Sequence, residues 1–91
     1  MESHLIIGVH ITDRLEEAVE VQKLFTCYGG FIKTRLGLHE TTGTTVGSKN
    51  GLILLEMVGP TDKCLQLAEQ LNKIKGVEAQ SMTFGHPTPN R

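Results

Sequence analysis

The order of the apolar segments in this chain predicts an α+β domain of the ferredoxin-like βαββαβ type, and three observations carry that prediction. Apolar runs along the 91 residues change period in the order strand, helix, strand, strand, helix, strand. Each helical stripe is followed by glycine, the residue that most easily takes a left-handed helix stop. The chain is long enough for one domain and too short for two. Right-handed crossovers then place both helices on one face of a four-stranded antiparallel sheet ordered 4-1-3-2.

Residues 4–12 are mostly β-branched or apolar and read as a strand buried on both faces. Asp13 opens the first helix, because Asp13 and Glu16 have the spacing of a capping box. Leu15, Ala18, Val19, Gln22 and Phe25 follow at helical spacing, and Val21, Leu24 and Tyr28 widen the stripe until Gly29-Gly30 stops it. Residues 31–38 alternate, with Ile32, Thr34, Leu36 and Leu38 on one side and Phe31, Lys33 and Arg35 on the other. After a polar stretch, residues 52–58 form the third strand. Gly59-Pro60-Thr61 turns the chain into the second helix, with Thr61 expected as its N-cap. Cys64, Leu67, Ala68, Leu71 and Ile74 make the buried stripe of that helix, and Gly76 closes it. Residues 77–84 are the last strand. The domain is expected to span residues 1–84, with residues 85–91, which hold two prolines, as a flexible C-terminal tail.

Alternation assigns each strand residue to a face. The helix-covered face is expected to take Leu5, Ile7, Val9, Ile11, Ile32, Leu36, Leu38, Ile53, Leu55 and Met57. The open face is expected to take His4, Ile6, Gly8, His10, Phe31, Lys33, Arg35, Leu52, Leu54, Glu56 and Val58, joined by Met82 and Phe84. A face wetted by solvent should be mostly polar, whereas this one mixes apolar residues with a few charges. An apolar patch rimmed by charge marks an interface, so the partner expected first is a second copy, as a homodimer or homotetramer. A domain this small buries only roughly 60–65% of its unfolded surface and gains by association.

The topology gathers His10, Thr12, Asp13, His39, Glu40 and residues 43–51 at one end of the sheet. A hairpin needs two to five residues where this chain has about a dozen, and such loops are functional or disordered. Here the loop carries donors and glycines whose N–H groups can turn toward an anion, so a small polar or anionic ligand is the expected occupant. Its residues would be His10, Asp13, Arg35, His39, Glu40, Thr44, Lys49 and Asn50. A metal site using His10, His39 and Glu40 is the alternative. An intervening strand leaves about 10 Å between the two histidine backbones, so the loop or a second subunit would have to close the gap. His4 and His10 lie about 20 Å apart and cannot chelate together. The run Gly43-Thr44-Thr45-Val46-Gly47-Ser48-Lys49-Asn50 lacks the spacing of a phosphate-binding loop and precedes a strand.

Nothing in the chain looks like an active site. No nucleophile elbow is present, Asp13 and Glu16 are used in capping, and Glu56 opposite Arg35 or Lys33 reads as a cross-strand ion pair. The expectation is a non-enzymatic regulatory protein without a cofactor, or failing a ligand, an adaptor for another protein. A formal charge of −1 with scattered Lys and Arg gives no basic cluster, which argues against direct binding to nucleic acid. The two cysteines, Cys27 and Cys64, lack the spacing of a metal or redox pair and read as core or surface thiols of a reducing compartment. The start Met1-Glu2-Ser3-His4 does not read as a signal peptide, and no apolar run approaches the ~20 residues of a membrane span. The chain is therefore expected to be cytoplasmic, with no membrane partner.

The stretch Lys33-Thr34-Arg35-Leu36-Gly37-Leu38-His39-Glu40, the apolar strand at residues 52–58 and the ending Ile74-Lys75-Gly76-Val77 resemble the iron-only hydrogenase system regulators. These are small stand-alone proteins with an ACT-like fold, similar to the C-terminal domain of nickel-responsive repressors. The resemblance covers most of residues 5–84 and implies a regulatory, oligomeric, ligand-sensing domain. Where amino-acid-binding ACT domains carry Pro-Gly after the first strand, this chain reads Thr12-Asp13-Arg14-Leu15. The His-x-His of the nickel repressors is absent as well, so neither ligand set carries over.

Overall fold

The structure, a computed structural model, describes residues 3–12, 15–39 and 51–85. Its elements are β1 (Ser3–Ile11), α1 (Leu15–Cys27), a short 3₁₀ turn (Gly29–Phe31), β2 (Ile32–His39), β3 (Gly51–Met57), α2 (Thr61–Asn72) and β4 (Val77–Gly85). The four strands form one antiparallel sheet in the order β2-β3-β1-β4, the expected order read from the other edge. The two crossovers, through α1 and α2, lay both helices on one face of the sheet.

The core lies between that face and the helices. Leu5, Ile7, Val9 and Ile11 of β1, Leu55 and Met57 of β3, and Val77 and Ala79 of β4 are buried, alternating along their strands as a one-sided sheet requires. Val21 and Phe25 of α1 and Cys64, Leu67, Ala68 and Leu71 of α2 close over them at helical spacing. No polar or charged residue is buried among the described residues. Burial pushes the Cys64 thiol up, and the nearby Asp62 charge pushes the same way, so this cysteine is a neutral core residue.

Local chemistry sets the joints. Gly59 (φ +102°) and Gly76 (φ +83°) hold the left-handed backbone at the turns into α2 and β4. The Thr12 N–H and hydroxyl both donate to the Gly76 carbonyl, at 2.9 and 3.0 Å, tying the end of β1 to the start of β4. The Asn72 amide brackets Ala79 on the edge strand, accepting from its N–H at 2.8 Å and donating to its carbonyl at 3.0 Å.

The structure corrects several sequence expectations. Thr61 is the first helical residue of α2, and Pro60, whose extended backbone suits the position, precedes it as N-cap with no side-chain hydrogen bond. Gly29 and Gly30 do not stop α1 through a left-handed residue; the helix ends at Cys27 and tightens into the 3₁₀ turn. Phe31 packs against the core instead of the open face, and Val19 is exposed instead of joining the stripe. The largest correction concerns β2. Its register against β3 shifts between Ile32 and Thr34, and one extra residue reverses the facing of all that follow. Ile32 stays on the helix side opposite Met57. Thr34, Leu36 and Leu38 then pair with Glu56, Leu54 and Leu52 of the open face, while Arg35 pairs with the buried Leu55. Leu36, expected under the helices, thus belongs to the open face, and Arg35 belongs to the helix side, while the side chain of Leu38, also expected under the helices, lies outside the described residues.

Candidate functional site

The sheet face opposite the helices is built by register. One row across it runs Thr34, Glu56, Ile6, Met82; the next runs Leu36, Leu54, Gly8, Gln80; the third runs Leu38, Leu52, His10, Glu78. His4 and Phe84 pair beyond the first row. Leu36, Met82 and Phe84 are each more than half exposed, and Ile6, Leu52 and Leu54 are half-buried by their neighbours. The bulge in β2 therefore adds Leu36 to an apolar patch that the alternation had already indicated.

A polar group stands within this patch. His4 Nε2 donates to Glu56 Oε2 at 2.8 Å, and Lys33 Nζ lies 3.9 Å from the same oxygen. The hydrogen bond from His4, then one from Thr34, hold the Glu56 carboxyl below the usual carboxylate range; burial opposes them, and the Lys33 and His4 charges add to the lowering. Glu56 thus meets Lys33, as one sequence alternative had it, and His4, which sequence reasoning missed because the pair is diagonal across two strands.

On the helix side, α1 and the edge strand β2 flank an open cleft of about 190 Å³ lined by Phe25, Thr26, Gly29, Ile32 and Arg35. The Arg35 guanidinium lies 4.9 Å from the Phe25 ring centroid, and its Nη2 donates to Gln22 Oε1 at 2.9 Å. The cleft exists because β2 fills its helix-side positions after the bulge with Arg35 and Gly37, neither of which closes an apolar layer. Helical spacing puts Phe25 and Gln22 in the α1 stripe and plain alternation puts Arg35 on the open face, so only the bulge reveals their meeting.

Of the eight residues expected to bind a ligand, the structure describes the side chains of His10 and Arg35 and places them on opposite faces of the sheet. His10 is exposed on the open face between Leu52 and Glu78. Asp13, Glu40, Thr44, Lys49 and Asn50 lie outside the described residues, as does the His39 side chain. The backbone of His39 pairs with Gly51, one step out of register with the row of His10 and Leu52. Among the described residues no three His, Cys, Asp or Glu groups gather where they could hold a metal ion. Both cysteines are free, Cys27 exposed and Cys64 buried, and no described helix is long and apolar enough to cross a membrane.

No family model and no curated protein matches the chain. Solved structures do. An uncharacterized protein from Thermotoga maritima is 20% identical, with a TM-score of 0.78 over 92% of this chain and 100% of that one. The ACT domain of a GTP pyrophosphokinase from Chlorobium tepidum is 18% identical, with a TM-score of 0.65 over 89% of this chain and 100% of that one. The apo form of a nitrogen regulatory PII-like protein from Thiomonas intermedia is 13% identical, with a TM-score of 0.52 over 94% of this chain and 96% of that one. The chain has the ferredoxin-like α+β fold that ACT domains and PII-like proteins share.

Proposed function

We propose that this domain is a non-enzymatic regulatory module that works as a homo-oligomer, packs through its open sheet face, and senses a small ligand. The observation that carries the reading is the face itself: Ile6, Leu36, Leu52, Leu54, Met82 and Phe84 lie together where no described element covers them. A second copy is the fitting cover, because the patch carries both signs of charge, Lys33 beside Glu56 toward the β2 edge and Glu78 on β4, and a two-fold axis pairs such a surface with itself. The ACT and PII-like likeness supports a regulatory role, since the named neighbours include a regulatory protein and a domain set beside an enzyme. The resemblance to iron-only hydrogenase system regulators points the same way. Under this reading the ligand is small and polar or anionic, held near the β2–β3 connection, and the protein is cytoplasmic.

Native mass spectrometry of the untagged chain tests it. A dimer or tetramer that gains the mass of a small polar ligand after incubation with cell extract is the expected result. A monomer at micromolar concentration overturns the open-face argument and leaves an adaptor for another protein as the better reading. An oligomer that gains no mass removes the sensing half of the proposal.

A further inference from the structure

We propose that the cleft between the end of α1 and the edge strand β2 is a separate binding site, which takes a small-molecule carboxylate with a compact apolar body through Arg35. The site does not depend on the open face and lies on the other side of the sheet. Four features carry the inference.

Arginine offers five N–H donors in a planar fork, and here one of them is used on the neutral side-chain oxygen of Gln22. Among the described residues the ion pairs join His4, Lys23 and Lys33 to Glu20 and Glu56, and none of them includes Arg35. Its charge is available to an incoming anion.

The guanidinium is also already held. Its contact with the Phe25 ring and its bond to Gln22 hold it in place, so an anion that docks on the free edge of the fork need not order the side chain first. A long, unanchored surface arginine lacks this advantage.

The walls choose the anion. Beside the fork the cleft presents the Ile32 side chain, Thr26 and the small part of the Phe25 ring that the guanidinium and the core leave uncovered, and Gly29 leaves its rim without a side chain. A carboxylate accepts both N–H groups of a guanidinium fork in one plane, while its apolar body lies against Ile32. A phosphate would match the fork but has no apolar part to lay against Ile32, so it forgoes the burial that a carboxylate with an apolar body gains.

Size sets the limit. A space of about 190 Å³ is smaller than the pockets of drug-sized ligands and suits an acid with a single small ring or a short branched chain.

The test is an NMR titration of the full ¹⁵N-labelled chain with sodium benzoate at constant ionic strength, following the Arg35 side-chain Nε–H and the Thr26 and Gly29 amides. The expected result is a saturable shift of these three signals, with a dissociation constant of about 1–10 mM, ordinary for so small a ligand. Arg35→Gln should weaken binding at least about tenfold, and Arg35→Lys, which keeps the charge but loses the fork, should do nearly the same. Lys33→Gln, which removes a charge from the opposite face, should leave it unchanged. Shifts that grow linearly without saturation, or that persist in both Arg35 variants, overturn the proposal and leave Arg35 as a latch between α1 and β2. Saturation by inorganic phosphate at equal or lower concentration overturns the carboxylate assignment.

Discussion

At Gly59 the chain leaves β3 and turns toward α2 with φ at +102°, and a Cβ built there would stand 2.8 Å from Cδ1 of Phe31. Two costs therefore meet at one atom: a backbone conformation that L residues avoid, and a clash with a ring packed against the core. The ring cannot swing away freely, because Phe31 is half-buried and packed against the core. Gly59→Ala should cost about 1–3 kcal/mol, read as a lower urea midpoint at unchanged slope. Glu56 is a residue-scale prediction of another kind. Its carboxyl is held below the ordinary range in the fold by hydrogen bonds from His4 and Thr34. The unfolded chain therefore binds the proton at higher pH than the folded one, and stability rises with pH through that interval. Glu56 then contributes stability above about pH 5 and loses it as pH falls through the lowered folded value. Urea unfolding of the wild type and Glu56→Gln from pH 3 to 7 should show a gap that is constant at the upper end and narrows toward the lower. A gap independent of pH would show that the hydrogen bonds do not favour the ionised form.

Among the elements, the helices and three of the strands were legible in the sequence and β2 was legible only in part. The stripe Cys64, Leu67, Ala68, Leu71 on α2 repeats every three to four residues, so periodicity locates it; the apolar run of β1 locates that strand but suggests burial on both faces, whereas its burial alternates, with Ile6 half-buried and His10 exposed. In β2 the alternation of residues 31–38 is just as clean, yet it misassigns Leu36 and Arg35. A bulge inserts one residue into the pairing without leaving a mark in composition, and Lys33, the residue within the shift, is not a glycine that would have signalled it. The cleft inherits that failure, since a wrong face for Arg35 hides its approach to Phe25 and Gln22. The edges of the sheet were equally silent. Asn72 looks like an ordinary polar residue at a helix end, but it supplies Ala79 with both hydrogen bonds that a further strand would have made. That device closes part of the β4 edge against unwanted pairing. Asn72→Ala should cost about 1–2 kcal/mol for the two hydrogen bonds, measured by urea unfolding. Hydrogen exchange should also quicken at the Ala79 amide while the Ile7 and Val9 amides in the sheet interior keep their protection.

For the whole molecule, the question is whether the domain is complete alone. All the described buried residues lie on one side of the sheet, and β2 contributes none of them, so the core is a single layer closed by two helices. The other side leaves Leu36, Met82 and Phe84 more than half exposed on three different rows. Burying such side chains is worth roughly 1.5–3 kcal/mol each, a large increment beside the 5–15 kcal/mol that holds a typical domain. Association should then be coupled to stability: dilution should lower the thermal midpoint, because a dimer that binds its folded partner is stabilised by mass action. A charge at the centre of the patch separates this from unrelated causes. Leu36→Asp lies on an exposed edge-strand position where it disturbs no buried contact, so the monomer should keep its far-ultraviolet circular dichroism. Sedimentation equilibrium should nonetheless show the variant as a monomer at concentrations where the wild type is associated, and its thermal midpoint should no longer depend on concentration. Val19→Asp serves as the control, since Val19 is as exposed as Leu36 but sits on α1, away from the sheet face. If both variants dissociate the oligomer, or neither does, the interface lies elsewhere. If Leu36→Asp alone does so, the open face is the surface through which copies of this chain meet.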